Sequence, residues 1–265
     1  MNGPGREDAT TTFQTHFDRM AGDYADARPP YPAGIYEALA QAGVIGDGVR
    51  VLEVGAGTGL ATRELLAAGC EVVALEPGER LADLLRQAAA GARVIEATLE
   101  DSALQDASFD SVVAATAMHW IDLDRGLPAV HAALRPDGLL AVWRTIFGDE
   151  SHATPFRAKV AAIVSARGAS VPRRPDDNPR MEQLAAGGWF TPVRTLWWEW
   201  SIDLTSNQIR RLFATFSDWT GEEVAAAGQA VDVLGGQVTE HYRSVLHVLR
   251  RADLTGSAAR PGGAS

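Results

Sequence analysis

The residues in this chain whose types and spacing could do chemistry begin with three glycines and two carboxylates. Val51-Leu52-Glu53-Val54 runs directly into Gly55-Ala56-Gly57-Thr58-Gly59, and Leu60 follows. An apolar run ending in glycines reads as a buried strand feeding a loop, and a loop without Cβ atoms lets a ligand approach the backbone closely. The spacing is G-x-G-x-G. A dinucleotide fingerprint requires G-x-G-x-x-G, and its last glycine is Leu60 here. Glu53, at the strand end, would repel a pyrophosphate but suits a ligand bearing ammonium and sulfonium charges. A carboxylate there can also serve only to anchor backbone amides. Glu76 ends the next strand, about 20 residues past the loop, where an acid accepts hydrogen bonds from both ribose hydroxyls.

S-adenosylmethionine carries both of the charges that suit Glu53. Glu76 alone fits any adenosyl ligand, so the choice of cofactor rests on Glu53 and the glycine spacing. A nicotinamide-dependent oxidoreductase remains the alternative function. A member that binds the cofactor without methylating, as a cyclase or binding module, is the other. His119 follows the fourth strand and so lies near the C-terminal sheet edge, where ligands bind in open α/β folds. It is the candidate to deprotonate or orient an acceptor, or else it lines the pocket and bonds the backbone. Trp120 beside it can stack on substrate or adenine. His16 and His241 are second-rank candidates, and His131, His152 and His247 fall in segments that read as surface or core. No His/Cys/Asp/Glu spacing fits a metal site, and the single Cys70 removes the zinc options.

These side chains need a scaffold. Phe13, Phe17, Met20 and Tyr24 recur at helical spacing, and Arg28-Pro29-Pro30-Tyr31-Pro32 must end that helix. Strands are expected at Val49–Val54, Glu71–Leu75, Arg93–Glu96, Phe109–Thr116 and Leu139–Trp143, with helices at Leu60–Ala68, Arg80–Ala89 and Leu123–Leu134 between them. Strands alternating with helices imply a parallel sheet covered on both faces. After Arg144 the alternation stops. Thr195–Ile202 reads as a strand with Leu196, Trp198, Trp200 and Ile202 on one face, and Tyr242–Leu249 as a last strand. Between them, Thr205 or Ser206 can cap a helix carrying Ile209, Leu212, Phe213 and Phe216. The expected fold is a Rossmann-like, doubly wound α/β sheet, mostly parallel and seven-stranded. Its parts are a tail (1–12), an N-terminal helical lid (13–48), a cofactor-binding core (49–144), a cap with the last strands (145–253) and a second tail (254–265).

The 265 residues carry 24 Lys and Arg against 34 Asp and Glu, a net charge of -10 that argues against a nucleic-acid partner. Arg173, Arg174 and Arg180 read as part of a solvated loop. No apolar run reaches the length of a spanning helix, the N-terminus has no secretory h-region, and one cysteine suits a reducing compartment. A cytoplasmic monomer or homodimer is expected.

Val51–Gly59 resembles the first motif of class I S-adenosylmethionine-dependent methyltransferases, and Ala74-Leu75-Glu76-Pro77-Gly78 resembles their acidic second-strand motif. Thr98-Leu99-Glu100 is similar to their adenine-edge element, which implies adenine contacts for Leu99 and Glu100. Leu134-Arg135-Pro136-Asp137-Gly138 resembles their L-x-P-G-G turn, with Asp137 replacing the first glycine. Phe17-Asp18, Ala21, Tyr24-Ala25, the Arg28–Pro32 run and Ala117–Asp122 resemble small-molecule members related to the trans-aconitate and ubiquinone-pathway enzymes. The resemblance is strong over 13–144 and extends to 190–250 only in layout.

It implies in-line displacement at a sulfonium methyl. Expected cofactor contacts are Glu53, Gly55, Ala56, Gly57 and Gly59 at the loop, with Glu76 and Pro77 at the second strand. Leu99, Glu100, Thr116, Tyr24 and Arg28 complete the set, Arg28 either pairing a carboxylate or packing on its prolines. Tyr31, Trp120, Trp198, Phe213 and Ser217 are the expected acceptor-pocket residues, since aromatic walls suit a largely apolar small molecule.

Overall fold

Runs of Val, Leu and Ile bounded by glycine are stable as parallel strands covered on both faces. The computed structural model, which describes residues 27–149, 151–167, 178–216 and 218–254, has this architecture. Helix α1 (Ala33–Gln41) precedes β1 (Arg50–Val54), α2 (Leu60–Ala67), β2 (Glu71–Leu75), α3 (Glu79–Ala88), β3 (Arg93–Ile95) and β4 (Phe109–Ala115). Then follow α4 (Leu123–Ala133), β5 (Leu134–Phe147), α5 (Pro155–Ser165), α6 (Met181–Ala185), β6 (Phe190–Thr205), α7 (Ser206–Ala214), α8 (Gly221–Val233) and β7 (Gln237–Arg251). The seven strands lie in the order β3-β2-β1-β4-β5-β7-β6. The first five pair in parallel, and β7 runs antiparallel to both β5 and β6. The chain leaves β1 toward β2 and β3, then returns on the other side of β1 as β4. The crevice beyond the C-terminal ends of β1 and β4 is therefore the topological switch point, where such sheets bind ligands.

Alternation along each strand sorts side chains onto two faces. Val51, Val113, Ala141 and Trp143 pack with Ile35 and Leu39 of α1 and Leu65 of α2. Leu52, Val54, Val112, Leu140 and Val142 pack on the other face with Leu127 and Val130 of α4. A third cluster, with Phe156, Ile209, Leu212, Phe213 and Val231, joins α5, α7 and α8 to Tyr242 of β7. That cluster is the core of a helical cap formed by α5, α7 and α8.

Three strands are longer than their apolar pattern suggests. β5 continues through Thr145 and Phe147, which pair with Ser244 and Tyr242, and β6 and β7 pair from Phe190↔Arg251 to Thr205↔Gln237. Cross-strand hydrogen bonding extends them past the point where alternation fades. β6 is an edge strand and so tolerates Pro192 beside a register shift. Asp137, in the place of the glycine of the resembled turn, adopts φ 63, a left-handed conformation that Asp accepts better than most residues. The helix expected over Phe13–Tyr24, the tail over 1–12 and the tail beyond Leu254 lie outside the described residues.

Candidate functional site

The loop after β1 is built on contacts a side chain would destroy. Gly55 has φ 68, and a Cβ there would sit 2.6 Å from the Cβ of Ala117, so the loop packs directly against the end of β4. Gly57, at φ 59, differs: a Cβ would meet no protein atom within 4 Å. The space beside it belongs to a cleft of about 830 Å³ that this loop lines.

Glu76 holds the loop in place. Its Oε2 accepts from the Gly57 N–H at 2.8 Å and its Oε1 from the Gly78 N–H at 2.9 Å. The residue is 6% exposed. Each carboxylate oxygen has more than one lone pair, so both can bind backbone and still accept from a ligand hydroxyl. Glu53 is buried under the loop, where its Oε2 accepts from the Thr62 hydroxyl of α2 at 2.6 Å. Burial pushes the Glu53 carboxyl up to about 8. The Thr62 hydrogen bond opposes that rise, and the nearby Glu76 carboxylate adds to it.

A titration prediction follows from Glu53. Its folded value lies above the ordinary 4.5, so its contribution to stability is complete below that value and is lost as pH rises through about 8. The ligand-free protein is therefore expected to lose unfolding free energy between about pH 4.5 and about pH 8. Glu53→Gln, which keeps the acceptor for Thr62, is expected to flatten the slope in urea titrations. An unchanged slope would show that other groups set it.

The far wall comes from β4, β5 and the cap. Thr116 has φ 54, unusual for a β-branched residue. Its N–H donates to the Trp143 carbonyl at 2.7 Å, and its hydroxyl lies 2.9 Å from the Tyr31 hydroxyl. Tyr31 in turn meets Trp143 edge-on at 5.9 Å. The Arg28 guanidinium stands 5.1 Å from the Phe147 ring centroid and 5.3 Å from that of Phe216, while its Nε donates to the Thr215 hydroxyl at 3.1 Å. His119 and Trp120 occupy a 3-10 turn (Met118–Trp120) with their rings 4.5 Å apart, and both line the cleft.

The expected loop residues Glu53, Gly55, Ala56 and Gly57 thus share one cleft with Glu76, Pro77, Leu99, Glu100 and Thr116. Gly59 opens α2 at its margin, where a Cβ would meet Leu85 at 2.8 Å. The Glu100 carboxylate accepts from the Asp122 N–H at 3.3 Å, tying the adenine-edge element to the turn after β4. Tyr31, Arg28, Trp120 and His119 line the same cleft.

Two expected acceptor residues are corrected. Trp198 lies two strands from β5, with α1 over it, and its indole sits where a Cβ on Gly34 would come within 2.5 Å. Phe213 is fully buried on the inward stripe of α7, and Phe216, one turn later and 5.3 Å away, faces the cleft in its place. Tyr24 and Ser217 lie outside the described residues. Thr145, Phe147 and Thr215 line the cleft without having been expected there. For the first two, the available signal was the every-other-residue step onward from Trp143.

A profile described as a methyltransferase domain matches residues 52–142. The chain is similar to the uncharacterized methyltransferase Rv3342 of Mycobacterium tuberculosis, 33% identical over 202 residues and covering 76% of each chain. It is 28% identical over 213 residues to the uncharacterized methyltransferase-like protein C25B8.10 of Schizosaccharomyces pombe, covering 78% of this chain and 77% of that one. Among solved structures, one from Anaeromyxobacter dehalogenans, provisionally named a type II methyltransferase, superposes with a TM-score of 0.56 at 21% identity. The match covers 85% of this chain and 97% of that one, a likeness of fold.

Proposed function

The chain belongs to the class I S-adenosylmethionine-dependent methyltransferases, and we propose that it methylates a small molecule whose body is at least partly aromatic or apolar. Membership sets aside the nicotinamide oxidoreductase that the glycines alone leave open. The residues fit the methyl donor: the space beside Gly57 is open, and Glu76, Glu100, Asp101 and Asp122 make the cleft acid-rich. S-adenosylmethionine, when bound, supplies a methyl on a sulfonium that departs as a neutral thioether. The work left to the protein is alignment and exclusion of water, effects that can reach about 7–11 kcal/mol.

The acceptor reading rests on one observation. A single cleft continues from the glycine loop to a wall made by Tyr31, Trp120, Phe147 and Phe216. Its volume is of the order that encloses small molecules. His119 stands on this path, and its role in the proposal is to orient the acceptor or take its proton. The acidic charge balance and the buried lone Cys70 support a cytoplasmic setting and a small-molecule partner over a nucleic acid. Among the described residues no helix is long and apolar enough to cross a membrane.

Calorimetry with S-adenosylhomocysteine, followed by product release across a panel of phenols, aromatic acids and amines, tests the proposal. Binding with turnover is expected. Binding without turnover on that panel would point to a member that does not methylate such compounds. For acceptors protonated at neutral pH, His119→Gln is expected to lower turnover by about 100-fold and leave S-adenosylhomocysteine affinity within twofold. A variant that turns over normally would remove His119 from proton transfer.

A further inference from the structure

The acceptor end of the cleft contains a hydroxyl whose proton has only one direction left to point. Thr145 of β5 lines the cleft between the Trp143 and Phe147 positions, and its Oγ1 lies 2.9 Å from the Ser244 Oγ on the paired strand β7. Trp200 of β6 donates its indole N–H to the same Ser244 oxygen at 3.0 Å. Ser244 is 0% exposed, and among the described residues its hydroxyl meets only these two groups.

The direction of the chain follows from donor and acceptor inventories. An indole N–H can only donate, so Ser244 accepts from Trp200. The Ser244 proton then has one available acceptor, Thr145 Oγ1. If Thr145 donated to Ser244 instead, a fully buried O–H would be left without an acceptor, which folded proteins largely avoid. The polarity is therefore Trp200 to Ser244 to Thr145, and the Thr145 proton is left to donate into the cleft.

We propose that Thr145 is a specificity-determining donor, aimed by Ser244 and Trp200 at an oxygen on the acceptor molecule. The ligand this selects has an apolar or aromatic body, matching Phe147 and Phe216, and a carbonyl, carboxylate or phenolate oxygen held at Thr145. The inference rests on the small-molecule methyltransferase reading and narrows its acceptor class. No residue of the glycine loop or of the acidic strand end contributes to it.

The test uses full-length protein saturated with S-adenosylhomocysteine and ligand-observed NMR with four fragments: acetophenone, benzoate, toluene and ethylbenzene. Wild type is expected to bind at least one oxygen-bearing ring about tenfold more tightly than the hydrocarbons, roughly the worth of one hydrogen bond. The stronger of acetophenone and benzoate tells a carbonyl from a carboxylate. Thr145→Val is expected to abolish the difference, Thr145→Ser to retain it, and Ser244→Ala to reduce it, with S-adenosylhomocysteine affinity within twofold throughout. The proposal is overturned by a wild type that binds no fragment or does not discriminate. It is equally overturned by a Thr145→Val protein that still discriminates, or a Thr145→Ser protein that does not. Failure to bind S-adenosylhomocysteine, measured before any fragment is added, would overturn the underlying methyl-donor reading as well.

Discussion

Glu76→Ala is expected to weaken S-adenosylmethionine binding by about 100-fold or more while leaving a folded protein. The carboxylate accepts from the Gly57 and Gly78 N–H groups, one on each of the loops that flank the cleft. A hydrogen bond to a charged group contributes about 1.5–3 kcal/mol, and removal of this side chain takes away two. It also takes away whatever the same oxygens accept from the ligand. The two backbone bonds are present without ligand, so their loss weakens binding only through disorder of the loop they hold. Bonds to the ribose hydroxyls are lost from affinity directly, and two of those, at tenfold per 1.4 kcal/mol, exceed 100-fold. Glu76→Gln keeps the volume but turns an amide NH₂ toward one of the two N–H donors, so an intermediate loss is expected. Calorimetry with S-adenosylhomocysteine, alongside thermal melts, separates lost affinity from lost fold. An alanine variant that binds within threefold of wild type would falsify the role given to Glu76.

Arg157→Ala is expected to be the most destabilising single change away from the cleft. Arg157, on α5, grips Glu240 of β7 through both Nε and Nη2, with the Nε contact at 3.1 Å. The Glu240 side chain is 0% exposed. Burial raises the Glu240 carboxyl and the adjacent guanidinium opposes that rise, so without Arg157 a buried acid is left unpaired. Breaking a buried pair from one side costs about 3–5 kcal/mol, which for a chain of this size lowers the melting temperature by roughly 10 °C. Replacing both partners with apolar residues, as in Arg157→Met with Glu240→Leu, is expected to recover most of the loss. Urea unfolding of the single and double variants checks this, and a single variant within 1 kcal/mol of wild type by that measure contradicts it. Because α5 belongs to the cap core, turnover is expected to suffer before cofactor affinity does.

The donor half of this site is readable along the chain because it is local. Glu53, Gly55, Gly57 and Glu76 lie on two consecutive strand-to-loop junctions, and β2 runs over the same residues, Glu71–Leu75, that its apolar pattern marks. A strand buried on both faces needs an unbroken apolar run, so its limits are written in residue type. The cap offers no such signal. α8 was not anticipated, since its buried positions are Ala227, Gly228, Ala230 and Val231, which give little contrast with the small residues around them. The capping box from Thr220 to Glu223 was the clue available, and it predicts where a helix starts without saying what it packs on.

The sequence by itself determined the fold class and the methyl donor. Buried parallel strands, glycines at positive φ and a carboxylate at each strand end are requirements that neighbouring residues satisfy among themselves. Only the tertiary structure decided which side chains form the cleft wall opposite the glycine loop. Arg28, Thr145, Phe147, Thr215 and Phe216 come from an N-terminal segment, a strand and a cap that meet nowhere in the sequence. Alternation groups Trp198 with Leu196, Trp200 and Ile202, but only the strand register places it on the same face as Thr145 and Phe147, and only the packing shows that α1 covers that part of the face. Periodicity assigns a side chain to a face, whereas the packing of a second element over that face decides whether it meets a ligand or a core.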